Sequence, residues 1–246
     1  MLKFGKGNAK LGSHIITFSL LSGWSCPGAK ECKSKVIIVN GKRKIKDGPF
    51  TKFRCFSASN EALFPVIYNA RQHNFKELKA VGRSLPKTIR LIQDSLPNAT
   101  RWLRIHVAGD FFSQLYFDAW VVVAKRNPDI LFYAYTKSIT YWLKRMHKIP
   151  SNLLLTASFG GRHDELVKVN NLRYAKVVFS EAEARKLKLP IDHDDSHAYT
   201  PGGSFALLLH GTQPKGSASS VALQNLKNKG ITGYNKSKRL PAYTNQ

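Results

Sequence analysis

Short apolar runs alternate with amphipathic stretches through the second half of the chain. The strands that we predict are Leu103–Ala108, Leu131–Thr136, Leu153–Ser158, Lys176–Phe179 and Phe205–Leu209. Helical periodicity predicts helices between them, over Gln114–Arg126, Thr140–Lys148, Asp164–Asn170 and Glu181–Leu187. Repeated βα units favour a parallel sheet. We therefore predict an α/β fold, either an incomplete TIM-like parallel barrel or an open sheet.

The amino-terminal quarter has a different pattern. Residues Ile15–Leu20 form a strand-like run, and Lys35–Val39 and Lys42–Lys46 flank an Asn-Gly pair. Asn-Gly between two such runs is a strong signal for a β-hairpin with a tight turn. Helical patterns follow at 61–72 and 75–95. The predicted order is thus a strand, a hairpin and helices ahead of the βα units.

The composition indicates a globular chain, and its most informative feature is the large excess of positive charge. Of 246 residues, 43% are hydrophobic, which is typical of a globular protein. Thirty-nine Lys and Arg stand against 15 Asp and Glu, a formal net charge of +24. Such an excess predicts a polyanionic partner, DNA or RNA, although a generally basic proteome is the alternative. With no long apolar run and no basic amphipathic helix, we expect no membrane partner.

The chain contains three cysteines, Cys26, Cys32 and Cys55. An odd number cannot pair fully into disulfides, and the basic, glycine-rich start resembles no secretory signal. Because thiols stay reduced inside cells, clustered cysteines there favour metal binding or redox chemistry. Three thiolates leave one coordination position for another group.

Spacing bears on which metal the thiolates would hold. Five residues separate Cys26 from Cys32, and twenty-two separate Cys32 from Cys55. Structural zinc sites usually use cysteines two to four residues apart, whereas iron–sulfur clusters accept wider spacing. We predict a [4Fe–4S] cluster, with zinc, or three unrelated reduced cysteines, as alternatives. The fourth ligand stays open between His14, the 192–197 segment and an exogenous group.

Polar residues follow the predicted strands at one edge of the sheet, where parallel α/β proteins gather their chemistry. His106 lies in the last part of one predicted strand and Asp110 follows it, while Lys137 follows the next strand and Gly160-Gly161 a third. We predict His106, Asp110 and Lys137 as catalytic candidates. The glycine pair is a candidate for binding a cofactor or phosphate. The alternatives are helix caps, turn residues and, for His106, a core histidine.

Three segments together resemble the bacteriophage gene product 88 family: 25–32, 104–112 and 132–138, within a likeness over about 12–212. The resemblance implies a phage origin and a cytoplasmic location in the infected host, but no activity. The early cysteines before βα units are also similar, distantly, to radical S-adenosylmethionine barrels. The C-x3-C-x2-C loop of those enzymes is missing here.

The sequence patterns predict how the chain is divided into a domain and a tail, and which function it has. We predict one α/β domain over 1–213, with metal-binding loops at 12–58, and a basic, flexible tail at 214–246. The expected function is that of a phage iron–sulfur protein that binds or acts on nucleic acid. The alternative is a non-enzymatic nucleic-acid-binding protein with a structural zinc.

Overall fold

A computed structural model describes residues 1–7 and 11–231. The strands are β1 (Gly5–Lys6), β2 (Ile15–Thr17), β3 (Ser34–Val39), β4 (Lys42–Asp47), β5 (Trp102–Ile105), β6 (Leu131–Thr136), β7 (Leu153–Ser158), β8 (Tyr174–Val178) and β9 (Phe205–Leu208). The α-helices are α1 (Phe56–Leu63), α2 (Pro65–Ala80), α3 (Leu85–Ser95), α4 (Gln114–Arg126), α5 (Ile139–Leu143), α6 (Asp164–Val169), α7 (Glu181–Lys186), α8 (Ser196–Tyr199) and α9 (Ala218–Asn228). A 3-10 turn, Met146–Lys148, follows α5.

Seven strands form one sheet in the order β1-β2-β5-β6-β7-β8-β9. Strand β1 is antiparallel to β2, and every other neighbouring pair is parallel. The sheet is open and is not closed into a barrel, which confirms the predicted α/β class in its open-sheet form. From β5 onward each new strand is added beside the preceding one, as is usual for strands that follow one another along the chain.

The two faces of the sheet carry separate apolar clusters because side chains alternate along a strand. Leu103 and Ile105 face the larger cluster, which packs against α3 and α4 around Trp120. Ile15, Tyr133 and Phe205 belong to the cluster on the opposite face. Arg104 lies between Leu103 and Ile105 and therefore points to that second face.

The predicted hairpin is confirmed as a separate two-stranded sheet, β3–β4. Asn40 and Gly41 at its turn both have positive φ, 51° and 70°, as a tight two-residue turn requires. The long helical region divides into α1, α2 and α3. Pro65 opens α2, and Gly82 with φ of 67° follows its end.

The tail that we predict from residue 214, with a partial helix expected near 221–229, contains a helix in its described part. Helix α9 occupies 218–228, and its Leu226 is buried in a cluster with Val178 and Leu208 of the sheet. Burial of one face of this helix holds the segment on the domain. Residues 232–246 of that tail lie outside the described residues. None of the helices in the described part of the chain has both the length and the apolar character that a membrane span requires.

Trp120 should be a main source of stability. It is fully buried, with ring centroids 5.6 Å from Phe18 and 6.2 Å from Phe132. We expect Trp120→Ala to lower the free energy of unfolding by about 3–5 kcal/mol in urea titrations. Val169→Ala, at a side chain that is 80% exposed, should change it by less than about 0.5 kcal/mol. Equal effects of the two changes would contradict this assignment of the core.

Candidate functional site

A cavity of about 630 Å³ lies at the carboxyl edge of the parallel strands. Its walls come from the loop after β2, the start of α1, and the residues after β5 and β6. The three cysteines and the three predicted catalytic candidates all line it: Cys26, Cys32, Cys55, His106, Asp110 and Lys137. The structure thus brings together residues that are up to about a hundred positions apart in the sequence.

The loop that carries Cys26 and Cys32 is held against the end of β7. The carbonyl oxygen of Gly160 accepts from the N–H groups of Lys30 at 3.3 Å and Glu31 at 2.9 Å. Ala29 forms an isolated antiparallel bridge with Gly161. At Gly28 an added Cβ would lie 2.1 Å from the carbonyl oxygen of Lys137. Only glycine fits this close approach of two backbones.

The hairpin returns the chain to bring Cys55 to the same cavity. At its base, the Lys52 N–H donates to the Glu31 carbonyl at 2.8 Å. The Cys55 N–H donates to the Ser34 hydroxyl at 3.3 Å. Cys55 is also the residue that precedes α1, at a helix N-terminus. The long gap between the second and third cysteines is therefore spanned by β3–β4.

All three cysteines are free thiols, and they influence one another. Burial raises the pKa of Cys55 to about 11, and the charge of Cys32 adds to that effect. N–H groups of Ser57 and Ala58 act in the opposite direction on the same thiol. Burial, Asp110 and the other two thiols raise the pKa of Cys26 well above its usual value. Cys26 and Cys55 thus hold their protons until a cationic group compensates the charge of their thiolates.

No three His, Cys, Asp or Glu side chains within the described ranges are arranged to hold a metal ion. Among the predicted fourth ligands, Asp195 lines the cavity, whereas His14, His193 and His197 do not line it in the described part of the chain. His210 lines the cavity and was missed by the sequence reasoning. Its ring centroid is 4.7 Å from that of Phe56, the neighbour of Cys55.

Asp110 is buried between two strand ends and accepts three hydrogen bonds. The Thr136 hydroxyl donates at 2.6 Å, the Lys137 N–H at 2.8 Å and the Phe111 N–H at 2.7 Å. Burial nevertheless dominates and raises the pKa of Asp110 to about 6. A carboxyl group with such a pKa can exchange a proton near neutral pH. The catalytic role of Asp110 remains a prediction, and its position in the cavity and its raised pKa are compatible with that role.

Lys137 is buried, and its ammonium group donates to three acceptors. They are the Ser158 carbonyl at 2.7 Å, the Ser158 hydroxyl at 2.8 Å and the Phe159 carbonyl at 2.5 Å. An ammonium group has three N–H donors, so these acceptors use its full capacity. The geometry favours a role in fixing the ends of β6 and β7 over the predicted role as a base or anion ligand.

His106 directly follows β5, with a positive φ of 64° that ends the strand. It was predicted inside a longer strand, and the actual strand ends at Ile105. Its Nε2 lies 2.9 Å from the Tyr116 hydroxyl, and no partner of its buried Nδ1 is found among the described residues. Burial lowers the pKa of His106 to about 3, so the ring is neutral. It combines a core position with a buried Nδ1 that has no partner among the described residues.

Gly160 and Gly161 do not line the cavity walls, as far as these are described. Their N–H groups donate to the Asp164 carboxylate at 2.8 and 2.9 Å. The amides that a phosphate would need are therefore already bonded within the protein. The geometry supports a role for the two glycines in holding the cysteine loop. Their N–H groups are not free to bind the predicted cofactor or phosphate.

An ion pair on the second face of the sheet was also missed. Arg104 pairs with the buried Asp195, which accepts a further hydrogen bond from the Tyr135 hydroxyl at 3.2 Å. All three residues line the cavity. A charged residue between Leu103 and Ile105 in a parallel strand was the available signal, because such strands are normally apolar on both faces.

Fold and site together define a class: an open, mostly parallel α/β protein with three free cysteines in a cavity at the strand ends. The chain belongs to the Gene product 88 family, whose sequence model matches residues 2–227. It is 28% identical over 141 residues to the Gene 88 protein of Mycobacterium phage L5, covering 53% of this chain and 51% of the relative. The match therefore spans about half the length of that relative. It is 26% identical over 194 residues to the Gene 88 protein of Mycobacterium phage D29, covering 73% and 72%. No solved structure matches the chain.

Gly28→Ala should displace the cysteine loop, because its Cβ would collide with the Lys137 carbonyl oxygen. We expect a loss of roughly 1–3 kcal/mol in the free energy of unfolding. The thiols should also react faster with a thiol reagent in the folded protein. Gly202→Ala is the matched control, since a Cβ there meets nothing within 4 Å. An unchanged thiol reaction rate in Gly28→Ala would contradict the placement of the loop.

The raised pKa of Asp110 should make stability depend on pH. An unfolded Asp has a pKa of about 3.9. As pH rises from about 4 to 6, the unfolded chain loses this proton before the folded chain, so the free energy of unfolding falls. Relative to Asp110→Asn, the metal-free wild type should lose roughly 3 kcal/mol between pH 4 and 7 in urea titrations. The exposed Asp129→Asn should follow the wild-type curve, and parallel curves for all three proteins would contradict the prediction.

Proposed function

We propose that this chain is an iron–sulfur protein in which Cys26, Cys32 and Cys55 hold a [4Fe–4S] cluster. The observation that carries the proposal is the convergence of all three cysteines on one cavity from two separate loops. Convergence of distant cysteines on one cavity is what a shared metal centre requires of its ligands. The cavity volume of about 630 Å³ leaves room for the cluster and a small molecule beside it.

The chemistry of the surroundings fits a thiolate-bound cluster. Ala29, Phe53 and Phe56 line the cavity and would limit the access of water. Positive charge lies close, since the Lys33 ammonium donates to the Cys26 carbonyl at 2.6 Å. Burial raises the pKa of Cys55, and the N–H groups of Ser57 and Ala58 partly offset this rise and would stabilise its thiolate form in a cluster. Such hydrogen bonds and charges are the means by which proteins tune these clusters.

A cluster fits the arrangement better than the zinc alternative does. A single zinc ion needs its ligands around one point, with sulfur about 2.3 Å from the metal. The cysteines here are separated by five and twenty-two residues, wider than the two to four residues that are usual between zinc ligands. A cubane is larger and takes its thiolates at separate corners, so three thiols along one cavity wall suit it.

Three cysteines would leave the fourth iron without a thiolate ligand. An iron with an open position supplies Lewis-acid or one-electron redox chemistry. Within the described ranges, His106 and His210 are the imidazoles that line this cavity, and His210 could occupy or approach that position. Asp110, near its own pKa at neutral pH, could accept or return a proton from a bound molecule. Lys137 would keep the strand ends in register.

Net charge supports nucleic acid as the partner, either as the molecule acted on or as the binding target. The +24 charge is unusual for a chain of this length and destabilises the compact state by self-repulsion. A nucleic acid would compensate that repulsion. The same charge would serve the alternative function, a non-enzymatic binding protein with a structural metal.

The test is anaerobic purification with analysis of iron, sulfide and zinc. We expect a brown protein with broad absorption near 400 nm, roughly where thiolate-bound clusters absorb. Cys26→Ser, Cys32→Ser and Cys55→Ser should each lose most of the iron and sulfide. Asn60→Ala, a change at another residue of the same cavity, should keep them.

A colourless protein that holds zinc, or no metal, would overturn the cluster assignment. Loss of iron in Asn60→Ala to the same extent as in the cysteine variants would also count against it. That result would show that any change in the cavity impairs metal loading.

A further inference from the structure

The outer face of the hairpin carries a row of lysines. Register places Lys35 opposite Lys46, Ile37 opposite Lys44 and Val39 opposite Lys42. Directly opposed residues point to the same side of a two-stranded sheet. On β4 these three lysines are exposed and alternate with partly buried neighbours. Four ammonium groups therefore share one face of a short hairpin.

This arrangement costs stability within the protein itself. Like charges directly opposite each other across two strands are destabilising, and Lys35 and Lys46 are such a pair. Among the ion pairs of the described residues, no carboxylate lies within 4 Å of any of the four lysines. The nearest acidic residues in the sequence are used elsewhere, since Asp47 pairs with Arg54 and Glu31 with Lys52. The face is suited to an external polyanion.

An aromatic ring is fixed at one end of this face. Trp24 is 48% exposed, and its indole N–H donates to the Val36 carbonyl at 2.9 Å. The Lys35 ammonium lies 3.9 Å from the ring centroid. The indole is thus held in place with one side covered by a cation and much of its surface in solvent. An exposed, immobilised aromatic ring beside lysines is the combination that binds unpaired bases and their phosphates.

We propose that this lysine face, made of Trp24, Lys35, Lys42, Lys44 and Lys46, binds single-stranded nucleic acid. The lysines contact successive phosphates, and one unpaired base stacks on the Trp24 indole. The inference deepens the nucleic-acid part of the proposed function and does not depend on the cluster. A duplex would offer phosphates to the lysines but no free base face to the ring, because its bases are stacked within the helix.

The experiment measures binding of the full chain to a labelled oligothymidylate of about 20 nucleotides, by fluorescence anisotropy between roughly 50 and 200 mM salt. The triple variant K42E/K44E/K46E should bind at least about tenfold more weakly and show a shallower salt dependence. The matched control R185E/K186E/K188E makes the same charge change at exposed residues in and just after α7 and should lose much less. Trp24→Ala should weaken binding about tenfold, whereas Trp24→Phe keeps a ring and should weaken it less.

Three outcomes would overturn the proposal. Equal losses in the two triple variants would show binding by net charge alone. Equal affinity for a duplex of the same length, with no effect of Trp24→Ala, would point to phosphate contacts only. Binding to vesicles of anionic lipid without binding to the oligonucleotide would identify a membrane surface as the partner.

Iron and sulfide are measured in every variant, with circular dichroism as the check on folding. Hairpin variants that keep the cluster but lose the oligonucleotide support this proposal independently of the cluster. A wild-type protein that holds the cluster and binds no oligonucleotide would overturn this proposal alone. A colourless protein that still binds through the lysine face would overturn the cluster alone.

Discussion

The absence of a side chain at Gly28 determines where the cysteine loop can lie. An added Cβ would come 2.1 Å from the Lys137 carbonyl oxygen, so the two backbones touch directly. In the same backbone segment after β6, the Lys137 N–H donates to the Asp110 carboxylate. The Lys137 ammonium donates to the Ser158 hydroxyl and so connects this segment to the end of β7. The loop therefore rests on a surface made rigid by buried hydrogen bonds between strand ends. Cavity, cysteines and Asp110 keep their relative positions because of this contact.

Long, well-bounded elements could be predicted from the sequence. The observed bounds of α4, β6 and β7 agree with the predicted ones, because each has a clear apolar pattern and a capping or turn residue at its ends. The short elements β1 and α8 were missed, since two or four residues carry no periodicity. Strand β5 ended earlier than predicted, because His106 adopts a positive φ that no local pattern indicates.

The sequence predicted which residues lie at the site better than it predicted what each of them does there. Asp110 and Lys137 follow neighbouring strands, and parallel topology alone brings them to one edge. Whether Lys137 is available depends on Ser158, at the end of β7, and on Phe159 directly after it, because their oxygen atoms complete its hydrogen bonds. Likewise Asp164 occupies the amides of Gly160 and Gly161. Sequence spacing cannot show that a donor already makes a hydrogen bond within the protein, because the tertiary structure determines which acceptor lies next to it.

The hairpin links the two proposed properties in one segment. Its strands leave from the residues after Cys32 and return just before Cys55, so its closure by Ser34 and Glu31 is what brings the third thiol to the cavity. Lysines on an exposed strand protect its edge from pairing with another chain, and the proposed nucleic acid would be a ligand for the same charges. Trp24 stands two residues before Cys26 and bonds the Val36 carbonyl of the same hairpin. An oligonucleotide on the lysine face would therefore contact the segments that position the thiols, which makes the cysteine cavity and the nucleic acid neighbours in space.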